Sequence, residues 1–161
     1  MPLPINIELR QRVLPFQMTT SHQHPEYELY FLKELTGTGE IQIQEHTYPL
    51  KKGSLVIINQ NISHRTNFAQ AKSHERYLIE LSPEIFNEQT LPLLSTTPEF
   101  FFQQQTGVYE LTPSQQAQVA AIFDTLYNES LFKESFYKER QFLKIAELLL
   151  LINRFSRQRS L

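Results

Sequence analysis

Four side chains in the first half of the chain have the types and the spacing to do chemistry. His22, His24 and Glu28 stand at even offsets, so wherever the backbone is extended all three turn to one face. His64 follows after the Gly53 turn and a β-branched run. Three imidazoles and a carboxylate suit Zn, Fe, Mn or Ni, with coordination positions left open for water or substrate. The same residues also suit a polar pocket without metal, in which an imidazole pairs with the carboxylate. Glu28 is the sharpest of the four. It interrupts the apolar stretch Tyr27 to Leu32, and a buried carboxylate needs a cation or several donors to offset its desolvation. Tyr30 shares its strand face and brings a phenol of the kind that orients polar ligands. No Asp, Tyr or Lys stands out as a partnered general base, so no catalytic residue is assigned.

The elements that must carry these residues are short strands. Tyr27 to Leu32 is aromatic and aliphatic, Gly37 and Gly39 punctuate it, and Ile41 to Gln44 alternates apolar and polar with period two. Lys52-Gly53 opens another turn before Ser54 to Ile58, and Arg76 to Leu81 closes the series. Such spacing predicts an all-β barrel or sandwich. After Leu81 the period changes. Ser82-Pro83, Thr97-Pro98 and Thr112-Pro113 each join a hydroxyl residue to a proline, the form of a helix start. Behind the third, Val119, Ile122, Phe123, Leu126 and Tyr127 recur at helical steps. A last helix is expected from about Phe136 to Arg157, with Asn128 to Ser135 as the joint.

Composition narrows the function classes. The 161 residues hold one domain with an appendage. A net charge of −2 lacks the basic field of a chain that binds DNA by itself. With no cysteine there is no disulfide framework and no thiol nucleophile. Neither a secretory signal nor an apolar run long enough for a bilayer is visible, so a cytoplasmic location and no membrane contact are expected.

His22-x-His24-x-x-x-Glu28, followed by Gly53 and His64 eleven residues on, resembles the two boxes of the cupin barrels. The run from His24 to Phe68, the return strand His74 to Phe86 and the two terminal helices resemble the effector-binding half of AraC-family transcription regulators. That resemblance implies a mainly β fold, a cupin-like antiparallel barrel or jelly roll followed by a helical pair. The barrel with its N-terminal arm would occupy residues 1–83 and the helical region residues 84–161, the two forming one structural unit. It further implies a small-molecule effector, such as a sugar or other polar metabolite, held by His22, His24, Glu28, Tyr30 and His64. Arg10 would reach the pocket from an arm like the one that closes over it in some of these regulators. DNA would be contacted only through a helix-turn-helix half that nothing in the sequence resembles. Asn59 and Asn61 stand where metal-binding cupins usually carry Pro and Gly, so the expected pocket is metal-free with no cofactor. The alternative is a small metal-dependent cupin enzyme, an isomerase or dioxygenase, with a divalent transition metal on His22, His24, Glu28 and His64.

The last helix carries an expectation about assembly. Phe142, Leu143, Ile145, Ala146, Leu149, Leu150 and Ile152 make one broad apolar face. Leu148, Leu151 and Phe155 make a second stripe, which one chain burying the first face would leave in water. A twofold homodimer through Leu148, Leu151 and Phe155 is the expected solution, as in the regulators the chain resembles.

Overall fold

A strand that is apolar on both sides has to be covered on both sides. In the computed structural model, which describes residues 5–86 and 97–159, the strand starting at Tyr27 lies at the centre of a five-stranded sheet. The strands are β1 (Ile5–Arg12), β2 (Phe16–Gln17), β3 (Tyr27–Gly37), β4 (Gly39–Ile43), β5 (His46–Leu50), β6 (Leu55–Ile58), β7 (His64–Phe68), β8 (Ala71–Leu81) and β9 (Gly107–Tyr109). The first sheet runs β1-β8-β3-β6-β9 and the second β2-β7-β4-β5. Every pairing is antiparallel. One apolar cluster takes Tyr30, Leu32, Val56 and Ile58 from the first sheet and Ile41, Ile43, Leu50 and Phe68 from the second. The sheets therefore face each other as a jelly roll, not as a barrel closed by hydrogen bonds.

The outer face of the five-stranded sheet is covered by helices α1 (Pro98–Gln105), α2 (Pro113–Phe132) and α3 (Tyr137–Arg159). A 3-10 turn, Pro83–Phe86, leads away from β8. Thr97 caps α1, and Thr112 and Gln115 form a reciprocal capping box at α2, so the hydroxyl–proline starts read in the sequence begin helical turns. Phe123 of α2 stacks on Phe31 and Tyr77, and Phe102 of α1 stacks on Tyr27. The turn before β6 needs Gly53: its φ is +86°, and a Cβ there would lie 2.3 Å from the Gln116 side chain of α2.

Several expectations need correction. The N-terminal segment is not an arm: residues 5–12 pair along their whole length with β8. The boundary near residue 83 does not separate strands from helices, because β9 comes from the later region and pairs with β6. The joint between the last helices is shorter than expected, residues 133–136, since α2 continues to Phe132. Lys133 and Phe136 turn it with positive φ. The second stripe of α3 is not left in water either. Leu148 and Phe155 are buried in the core of the same chain, and Leu151 packs against it. The helix packs along α2 and its buried residues join the core cluster that α2 and the sheet also feed, which covers a wider arc than a single packing face. Leu143 and Leu150, assigned above to the buried face, are exposed instead.

Candidate functional site

Along β3 the side chains divide. Tyr27, Leu29 and Phe31 join the core beneath the helices, while Glu28, Tyr30 and Leu32 turn toward the second sheet. Glu28 is thus a buried carboxylate inside the jelly roll. Opposite it, the segment before β3 is strapped to the start of β7 by main-chain hydrogen bonds between His22 and His64, 2.8 and 2.9 Å, and from Asn61 N–H to the His24 carbonyl, 2.8 Å. Asn61 adopts the left-handed region at φ +58°, which asparagine tolerates better than most residues. These bonds bring His24 Nε2 to 3.6 Å from Glu28 Oε1 and His64 Nε2 to 3.1 Å from Glu28 Oε2.

The proton on His64 follows from its partners. Its Nδ1 lies 2.9 Å from the Ile62 carbonyl oxygen, which can only accept, so Nδ1 carries a hydrogen. A neutral ring would then aim the Nε2 lone pair at the carboxylate. The imidazolium removes that clash and gives Nε2 a proton to donate. Burial opposes charging His64, but the Glu28 hydrogen bond and charge outweigh it and hold its pKa above the usual value. The Glu28 bond likewise raises His24 against burial. Burial would push the Glu28 carboxyl up, but the two histidines hold it down at about 2. Glu80, directly across from Glu28 on β8, is raised by burial.

His24, Glu28 and His64 fit a metal by geometry: one ligand atom from each lies within 4.8 Å of the others. His22 is not in that set. It is exposed, its ring centre lies 6.2 Å from that of His64, and it meets His64 through the backbone. Even spacing failed here because Pro25 and Glu26 bend the chain before β3 begins, and strand parity does not pass through a bend. Tyr30 sits beside Glu28 on the inner face with its hydroxyl buried and unpartnered. Arg10 lies exposed on β1 and pairs with Glu8 at 3.1 Å.

A family-wide comparison matches residues 8–151 to the AraC-like ligand binding domain. The chain belongs to that family. It is a small-molecule-sensing domain of the AraC type. No curated protein matches the sequence. Solved structures similar to it include a conserved protein of unknown function from Streptococcus pyogenes, at 18% identity and TM-score 0.44, covering 52% of this chain and 68% of that one. A cupin 2 conserved barrel domain protein from Salinispora arenicola has 18% identity and TM-score 0.42, over 51% of this chain and 71% of that one. A DMSP lyase from Ruegeria pomeroyi has 18% identity and TM-score 0.42, over 54% and 41%.

In this AraC-like domain the polar interior extends beyond the residues found from sequence. On β8, His74 and Arg76 share the inner face with Glu80, and on β1 Arg12 shares it with Glu8 and Arg10. The period-two pattern of His74, Arg76, Leu78 and Glu80 against Tyr77, Ile79 and Leu81 is legible in the sequence and was the available signal. A separate half-open groove of about 350 Å³ lies between β1 and the α2–α3 joint, lined by Ile5, Ile7, Ile85, Ser130, Gln141 and Phe142 among others. Ser130 and Gln141 there already donate to the carbonyls of Tyr127 and Leu126, so the groove offers mainly apolar contact.

Proposed function

We propose that the effector of this AraC-like domain enters between the two sheets and is read by Glu28, His24, His64 and Tyr30. The observation that supports this is a buried carboxylate kept ionised by two histidines, beside a phenol with no partner. A buried ion pair gains little over a well-packed apolar pair of the same volume, so its presence here points to recognition. The pocket works without catalysis and without a resident metal: the imidazolium–carboxylate pair is itself the recognition element. Occupancy shifts the packing of β1 and of the helices that cover β3 and β8, and a helix-turn-helix segment outside these 161 residues transmits that shift to DNA. The domain acts in the cytoplasm as a homodimer, with the exposed Leu143 and Leu150 of α3, seven residues apart and so on one helix face, meeting their symmetry mates. Among the described residues no helix is long and apolar enough to cross a membrane.

A thermal-shift screen of neutral sugars, amino acids and small organic acids tests the pocket. A compound that raises Tm of the wild type and fails on Glu28→Gln supports it. Hits that bind Glu28→Gln unchanged, or no hit in any class, overturn it.

A further inference from the structure

The opposite end of the same interior is lined by guanidinium groups. Arg12 and Arg76 reach it from β1 and β8, and Tyr30 from β3. The Arg76 guanidinium lies 5.4 Å from the Tyr30 ring centre, and that of Arg12 lies 3.7 Å over the Phe16 ring. His74, buried, stacks on Phe68 at 3.9 Å. Four polar atoms of this group are buried with no hydrogen-bond partner: Arg12 Nε, Arg76 Nη1, Tyr30 Oη and His74 Nδ1. Unpaired buried polar groups are rare in folded proteins, because each forfeits its hydration. Four at one place describe a receptor for something.

Their chemistry says what. Guanidinium nitrogens only donate. Burial also keeps the Tyr30 phenol protonated, since it raises the phenol's pKa. Three buried donors at this end thus lack an acceptor. The net charge is positive as well: Arg12, Arg76 and the exposed Arg10 face one carboxylate, Glu8, which reaches Arg10 at 3.1 Å and Arg76 at 3.4 Å. Three cations less one anion leave +2. His74 adds no charge near neutrality, because burial and then the two guanidinium groups hold it down at about 4. The remaining neighbours, Leu32, Phe16 and Phe68, are apolar, which suits a planar two-oxygen anion with hydrocarbon behind it better than a phosphate with a third oxygen to solvate.

We infer that Arg12, Arg76 and Tyr30 bind the carboxylate of an acidic effector, which makes this protein a sensor of small organic acids. The inference rests on the reading that the effector occupies the interior, and it names the effector's class. Tyr30 stands two residues from Glu28 on one strand, roughly 7 Å along it. A carboxylate at the arginine end therefore puts the body of the effector within reach of His24 and Glu28, which favour a hydroxyl or amino group.

Calorimetric titration of the whole chain with acetate, butyrate and benzoate, against their primary amides, phenyl phosphate and glucose, tests this. The acids are expected to bind and the amides not. Arg76→Gln should weaken the acids at least tenfold, Tyr30→Phe several-fold, and Arg65→Gln, on the exposed side of β7, not at all. If Arg76→Gln fails to fold by circular dichroism, Arg12→Gln and Arg76→Lys carry the comparison. Acids that bind Arg76→Gln and Arg12→Gln as tightly as the wild type overturn the inference. Phenyl phosphate binding where benzoate fails overturns the carboxylate in favour of a phosphate ester. Glucose or an amide binding while every acid is silent removes the acid class but leaves an interior effector pocket standing. Silence of all the probes removes both.

Discussion

Replacing Glu28 by Gln keeps the shape and removes the charge, so it isolates the pairing at the centre of the site. Holding the carboxyl at about 2 instead of 4.5 corresponds to roughly 3 kcal/mol at 1.36 kcal/mol per pH unit. Glu28 and His64 are both buried, so little of that is screened away. The sign differs on the two sides. A depressed carboxyl contributes stability above its unfolded pKa, 4.5, and loses it as pH falls toward 2. The raised histidines contribute below their unfolded pKa, 6.5, and lose it as pH rises through their folded values. The pair is therefore worth most between about 4.5 and 6.5. Urea unfolding of wild type and Glu28→Gln, with chelator present so that no metal replaces the proton, should show a loss of about 2 to 3 kcal/mol near pH 5.5 and clearly less near pH 8.5. An equal difference at both pH values would refute the imidazolium–carboxylate pairing, and with it the proton placement on His64.

Protein prepared without added metal is expected to hold far less than one transition metal per chain by elemental analysis; a stoichiometric metal lost in His64→Ala would favour the enzyme alternative. Should metal be forced on, His22→Ala is expected to leave its affinity unchanged and His24→Ala to weaken it at least tenfold. Leu148→Ala should cost about 3 to 5 kcal/mol in urea unfolding, because the side chain is wholly buried between sheet and helices; a cost below 1 kcal/mol would contradict that packing. Leu143→Glu with Leu150→Glu should give a folded monomer by light scattering at micromolar concentration, and an unchanged dimer would place the contact elsewhere.

Much of this molecule is local in origin and so legible in the sequence. Capping chemistry acts within three or four residues, and for that reason Thr97 and Thr112 mark helix starts without knowledge of the fold. Glu28 announces itself because one carboxylate among apolar neighbours on a strand buried on both faces has no innocent place to go. Pairing between distant segments was not legible. The eight residues of β1 look like an arm until β8 supplies their hydrogen bonds, and the three residues of β9 carry no pattern of their own. Strand parity would put His22 with His24 and Glu28, but a bend at Pro25 interrupts it. The stripe of Leu148 and Phe155 is apolar in any setting, but whether a second chain or the same chain covers it depends on how α3 packs on α2 and into the core they share. Arg12 and Arg76 lie 64 residues apart in the sequence, and only the register of β1 on β8 and of β8 on β3 brings them to Tyr30. Residue types and periods set which groups are available and which way each strand faces; the long-range register, a sum of many weak contacts, decides which of them meet.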